Sequence, residues 1–234
     1  MAYFQEARPT NPPAFNAPAS VLILIAVLVG AHVVRTLLPA HTSEEILYTY
    51  ALDASVYFRP ASWFQRVVPP FTHMFLHGGY FHLAVNCVWL LAFGPVVARR
   101  FGGPVFLLFF VLCGLAGAAA FVLLAWGDVV GAIGASGAIS GLMGGAIRMM
   151  RINQPYLNVA TLPLEPLFSR PVVMFSAVWL AINFVTGIFV IGAMGTVEAI
   201  AWQDHMGGYI AGLLLAGPFE QAFGLAAKQR RPTA

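Results

Sequence analysis

The chain has 234 residues, 59% of them hydrophobic and only 9% charged, with a mean hydropathy of +0.80 and a formal net charge of +3. Ordinary soluble domains carry roughly 25% charged residues, so a soluble fold of this size is excluded and an integral membrane protein is the default. The long apolar runs do not alternate with a period of two, which favours helices over a barrel, and the sparse basic residues at their ends exclude a nucleic-acid-binding face.

Residues 1–19 are polar and rich in Pro and Asn, and no A-x-A-like cleavage site follows the first apolar run, so this segment is expected to be a short cytoplasmic tail. The first span is predicted from about Ser20 to Leu38, with an interfacial His32 and Arg35 near its far end, where Arg35 can reach the headgroups. The segment Pro39 to Pro70 mixes Glu44, Glu45, Asp53, Arg59 and Arg66 with Tyr48, Tyr50, Tyr57, Phe58, Trp63 and Phe64. It is too polar to span, and its aromatics suit an interface.

The second span runs from about Gly79 to Ala98, ahead of Arg99 and Arg100, and the third from about Pro104 to Trp126. Gly127 to Gly134 leads to a fourth run, Ser136 to Met150. At 1.5 Å per residue, that run is too short for a hydrocarbon core of ~30 Å, so it is expected to begin within the membrane depth. A polar loop with Arg151, Asn153, Gln154, Glu165 and Arg170 precedes the fifth span, about Pro171 to Ile191. Glu198 lies in the next loop, the sixth span runs from about Asp204 to Phe223, and residues 225–234 form a basic tail with Lys228, Arg230 and Arg231. The membrane domain is thus expected over residues 20–224.

Six spans put both termini on one side. Placing that side in the cytoplasm leaves nine basic residues inside and three (Arg35, Arg59 and Arg66) outside, in accord with the positive-inside rule. No internal repeat is visible, which weighs against a secondary transporter. Cys87 and Cys113 lie within predicted spans and read as apolar packing residues rather than a disulfide or a zinc ribbon.

Polar groups at membrane depth are costly and call for a reason. Here they gather at His73, His77, His82 and Asn86 before and within the second span, at Gly134-Ala135-Ser136-Gly137, and at Asp204-His205. The predicted topology brings all three groups to the non-cytoplasmic side. His82 and Asn86, four residues apart, share a helix face and both can donate hydrogen bonds. Ser136 opens a helix, where backbone N–H groups lack intrahelical partners, so a serine there with side-chain donors opposite is what an oxyanion site requires. A serine nucleophile also needs a base, and His205 is the remaining histidine on that side in a different span. Lys228 is the sole lysine and lies in the tail, which removes a Ser–Lys dyad, and a His-Glu-x-x-His helix is missing. Asp204 is the one aspartate at a span, so an aspartyl pair lacks a second member.

Three motifs together resemble the rhomboid family of intramembrane serine proteases, over roughly residues 20 to 224. His82-Leu-Ala-Val-Asn86 resembles the family's His-x-x-x-Asn on the second helix, Gly134-Ala-Ser136-Gly137 its Gly-x-Ser-Gly on the fourth, and His205-Met-Gly-Gly208-Tyr-Ile-Ala-Gly212 its His-x-x-Gly-x-x-x-Gly on the sixth. The resemblance implies an all-α bundle of six transmembrane helices in a multi-pass protein of the bacterial inner membrane. It implies Ser136 and His205 as a catalytic dyad, with His82, Asn86 and the backbone at Gly134 and Ala135 around the oxyanion. It implies transmembrane protein substrates and membrane lipids as partners, no nucleic acid, no metal and no cofactor.

The chain departs from the family pattern in three places: it lacks a Trp-Arg pair in the first loop, has Ala98 where an acidic residue often ends the second helix, and has Ser140 where a tyrosine often stacks on the catalytic histidine. Asp204 and Tyr209 are therefore the candidates to orient His205, although Asp204 points elsewhere on the helix. His73 and His77 either line a substrate path or brace the first loop. Gly114 with Gly117, Gly137 with Gly141 and Gly144, and Gly208 with Gly212 read as close helix contacts, and Trp179 and Phe184 suit an apolar gate on the fifth span. Two other classes use the same residues: a non-catalytic binder of membrane clients, and a channel whose histidines carry protons or metal.

Overall fold

The computed structural model describes residues 17–125, 131–150, 162–193 and 201–224. The two expected tails lie outside these residues, apart from Ala17, Pro18 and Ala19, as do Arg151, Asn153, Gln154 and Glu198. Six long helices fall on the six apolar runs within about three residues at either end: α1 (Ala19–Leu37), α5 (Tyr80–Phe101), α6 (Gly103–Ala125), α7 (Ser136–Met149), α8 (Arg170–Ala193) and α9 (Trp202–Phe223). Three of them, α1, α5 and α6, are long and apolar enough to cross a bilayer by length and composition. At 14 residues, α7 extends about 21 Å, well short of a hydrocarbon core.

The arrangement follows from where the apolar and small residues lie. Every residue of α7 from Gly137 to Ile147 is buried, so this helix is the centre, enclosed by α5, α6 and α9. It can be central because Gly137, Gly141 and Gly144 leave no side chain to hold a neighbour away. A Cβ on Gly208 would overlap the Gly137 carbonyl, one on Gly212 the Gly141 carbonyl, and one on Gly144 the Tyr209 carbonyl. The expected glycine contacts between these two helices are therefore direct backbone-to-backbone packing. Gly114 meets Met74 and Ala138, and Gly117 meets Asp204. On the outside the usual hydrophobic pattern is inverted, and Ile23, Val88, Leu123 and Ile182 are each more than half exposed, as a lipid-facing surface requires.

The end of the bundle away from Ser136 is closed by aromatic rings and arginines. Phe219 packs edge-on against Phe109 at 5.0 Å between centroids and also meets Phe101. Beside them buried Arg100 donates to Glu220 at 2.6 Å and to the Leu162 carbonyl at 2.8 Å. Arg148 donates to the carbonyls of Glu165 and Leu213.

The segment between α1 and α5 is more ordered than its mixed composition suggests. It holds α2 (Ala40–Tyr50), a two-residue strand β1 (Leu52–Asp53), a 3-10 turn (Ala54–Tyr57), α3 (Trp63–Val67), α4 (Pro69–Thr72) and a second 3-10 turn (His73–Phe75). Ser62 and Gln65 form a reciprocal capping box on α3, and Tyr48 and Trp63 remain exposed. β1 pairs antiparallel with β2 (Gly131–Ala132), Leu52 opposite Ala132 and Asp53 opposite Gly131. This small clasp ties the first loop to the chain just ahead of Ser136.

Two sequence expectations change here. Arg35 does not reach for headgroups; it is buried, donating to Ser43 Oγ at 2.7 Å and to the His77 carbonyl at 2.8 Å. His32 is not an interfacial residue but sits inside, edge-on to Tyr80 at 4.7 Å and to His77 at 6.4 Å. Both occupy the side of α1 that faces protein, a distinction that an apolar run does not encode.

Candidate active site

The three polar groups picked from the sequence meet at one end of the bundle, because each lies at the start of its helix. Ser136 is the first residue of α7, His205 is in the first turn of α9 and His82 is in the first turn of α5. The glycine seam between α7 and α9 sets the two backbones close enough for Ser136 Oγ to lie 2.7 Å from His205 Nε2. Both side chains are only partly buried.

The turn ahead of Ser136 depends on Gly134. Its φ of +123° is a conformation that side-chain-bearing residues rarely adopt. A Cβ there would come within 2.8 Å of His82 Nε2 and 3.5 Å of Ser136 Oγ. The absent side chain thus leaves the His82 ring open to the space beside the serine. Asn86 is buried one turn further along α5 and donates through Nδ2 to the His82 carbonyl at 2.9 Å, which fixes the turn that carries His82. Ala135 is buried directly ahead of the serine.

His73 and His77 stand behind this turn, fully buried. The backbone carbonyl of His73 accepts from Gly134 N–H at 2.9 Å. The His73 ring is anchored through Nδ1 on the Pro69 carbonyl at 3.0 Å, and since a carbonyl only accepts, Nδ1 is the donor. His77 takes the Arg35 guanidinium on its carbonyl and meets His82 edge-on at 5.2 Å. Burial, together with His82, His32 and Arg35 nearby, pushes the pKa of His77 down to about 3, so this imidazole is neutral near pH 7. Among the described residues, no group of three or more His, Cys, Asp or Glu is placed to hold a metal ion.

Asp204 is buried facing away from its neighbour His205. Its carboxyl packs on Gly117 and Gly137, accepts from the Gly137 backbone, and lies 3.9 Å from His73 Nε2. Tyr209 bonds Ser176 at 2.8 Å and stacks on Trp179 at 4.4 Å between centroids. The partner of His205 Nδ1 is a residue that the sequence reading passed over, Asn183 of α8, whose Oδ1 is 2.8 Å away. The available signal was a lone amide side chain in the middle of the fifth apolar run, a costly position for a polar group. Phe184, next along α8, is edge-on to Trp202 at 5.5 Å.

The family model described as the rhomboid domain matches residues 65–221. A rhomboid protease, GluP, of Bacillus subtilis is 26% identical over 228 residues, covering 95% of this chain and 38% of its own. RHOMBOID-like protein 4 of Arabidopsis thaliana is 30% identical over 140 residues, covering 60% of this chain and 31% of its own. The chain therefore spans about a third of the length of these two relatives. With the domain matched across its helical core and the three motifs in order on converging helices, this integral membrane protein belongs to the rhomboid family.

Proposed function

We propose that this chain is an intramembrane serine endopeptidase that cleaves transmembrane segments of other membrane proteins, with Ser136 as nucleophile and His205 as base. The observation that carries the reading is the 2.7 Å contact between Ser136 Oγ and His205 Nε2, made between two helices at the open end of the bundle. A serine hydroxyl is a weak nucleophile until a base accepts its proton at hydrogen-bonding distance. In the proposed reaction, Ser136 Oγ attacks a peptide carbonyl while its proton passes to Nε2. The imidazolium then returns the proton to the leaving amine, and water hydrolyses the acyl-enzyme by the same transfers in reverse.

The negative oxygen of the tetrahedral intermediate needs fixed donors. His82 lies across the open Gly134 face from the serine. The first turn of α7 adds backbone N–H groups beside it, Gly137's being taken by Asp204, and Asn86 holds the turn that carries His82. Six membrane spans over residues 20–224, with both termini cytoplasmic in a bacterial inner membrane, complete the proposal and put the site toward the outer face.

The test is a fluorophosphonate probe applied to the purified protein in lipid, beside cleavage of a membrane-embedded test substrate. Ser136→Ala should abolish both labelling and cleavage, and His205→Ala should suppress both. His82→Ala should slow cleavage by about 10²- to 10³-fold, the usual loss for a single oxyanion donor. A folded wild-type protein that fails to label across a range of pH would overturn the assignment.

A further inference from the structure

The geometry points to Asn183 as the residue that sets the tautomer and orientation of His205, so that α8 carries a third member of the Ser136–His205 pair. This inference rests on the proposed dyad and extends it to a helix outside the three family motifs.

The donors and acceptors around Asn183 have a single consistent solution. Asn183 is buried in α8 and makes two contacts: Nδ2 lies 3.0 Å from the Trp202 carbonyl and Oδ1 lies 2.8 Å from His205 Nδ1. A backbone carbonyl only accepts, so the amide NH₂ must face Trp202 and the amide oxygen must face the imidazole. An amide oxygen also only accepts, so His205 Nδ1 must carry the proton. In a neutral ring, Nε2 is then left with the lone pair, and it is Nε2 that meets Ser136 Oγ. The carbonyl of Trp202 thereby dictates, through one side chain, which nitrogen of His205 acts as base.

The position on α8 gives the arrangement a second property. Ser176, Trp179 and Asn183 lie at helical spacing on one face of α8, and all three meet α9, at Tyr209 and His205. The seam between α8 and α9 is thus built from side-chain tips. A displacement of α8 that opens the bundle sideways takes Asn183 away from His205, which then loses its orienting acceptor. Docking of α8 and readiness of the base are one event, and Asn183 is a positioning residue that never touches substrate.

The experiment uses the full chain in lipid: wild type, Asn183→Ala and Asn183→Asp. The tautomer of His205 is read by ¹⁵N-histidine NMR, with His205→Ala assigning the signal, and the fluorophosphonate labelling rate is followed against pH. A protonated Nδ1 is expected for His205 in the wild type at neutral pH, and a mixture of tautomers in Asn183→Ala. The Ala variant should label about tenfold more slowly, the scale of one lost hydrogen bond. Asn183→Asp should recover rate near neutral pH while its acid limb moves about one pH unit higher, because a carboxylate favours the imidazolium. A residue that merely packed would leave both the tautomer and the pH profile unmoved.

An Nε2-protonated ring in the wild type, or profiles that superimpose in all three proteins, would overturn the inference. The NMR readout stands even where Asn183→Ala does not fold or no protein labels. Labelling that survives Ser136→Ala would instead sink the dyad while leaving the tautomer measurement to judge Asn183 separately.

Discussion

Of the helices that pack on α9, α7 and α8 meet it in opposite ways. Against α7 the centre of the contact is glycine on backbone, with Gly208 on the Gly137 carbonyl and Gly212 on the Gly141 carbonyl, while Asp204 and Arg148 reach across nearer its ends. Against α8 the contact is side chain to side chain: Tyr209 with Ser176 and Trp179, His205 with Asn183, and Trp202 with Phe184. Backbone contact is unyielding because a peptide group has no rotamers to adjust. Rings and hydroxyls can part and re-form at modest cost, since each such contact is worth about a kilocalorie. The Ser136–His205 distance is thus set by the stiff seam, and the orientation of the His205 ring by the compliant one.

Substitution in the stiff seam should have the largest effect. Gly212→Val places a Cβ on the Gly141 carbonyl, and neither side can turn away, so a loss of about 3 kcal/mol or more is expected, the upper range for overpacked cores. The check is the yield and melting temperature of the purified protein; a variant that melts with the wild type would show that α7 and α9 can slide apart.

The braced side of the site should next show a pH signature in stability. His77 is folded with a pKa of about 3 against an ordinary 6.5. An unfolded His77 therefore binds a proton below pH 6.5 while the folded one stays neutral. The unfolded state binds more protons in that window, so stability falls as pH falls from about 6.5 toward 3. The slope from this group approaches roughly 1.4 kcal/mol per pH unit. His77→Gln should flatten the decline in melting temperature between pH 7 and pH 5, and an unchanged decline would assign it to other groups.

Substitution in the compliant seam should do least to stability. Trp179→Ala removes the stack on Tyr209, worth about 0.5–1.5 kcal/mol beyond the area lost, and Ser176→Ala removes one hydrogen bond worth about 0.5–1.5 kcal/mol. Both variants are expected to fold and to expose α8 to limited proteolysis sooner than the wild type. If either change matched Gly212→Val in severity, the distinction between the seams would collapse.

Much of this is legible in the sequence. The apolar runs locate all six long helices, since long, largely apolar runs permit little else in a bilayer. Ser136, His205, His82 and Asn86 stood out because polar groups at membrane depth are costly enough to be conspicuous. Asn183 was missed because its two partners, 19 and 22 residues away, come from helix packing rather than local spacing. Arg35 and His32 were turned the wrong way because a run apolar all round does not say which face meets protein and which meets lipid. The helix α2 went unread because its mixed charge and aromatic content carries no helical stripe.

The clasp between β1 and β2 also determines where the chain tolerates a change of length. Leu52 and Asp53 are pinned to Ala132 and Gly131, and His73 is pinned to Gly134, so a residue added beside any of these would be felt at the serine. Between the pins, Tyr57 and Arg66 close a ring through the Arg66 carbonyl, and the Arg59 carbonyl takes the guanidinium of Arg66. Pro60 and Ala61 form the tip of that ring. They are the place where the first loop can be extended, tagged or exchanged while the serine keeps its position.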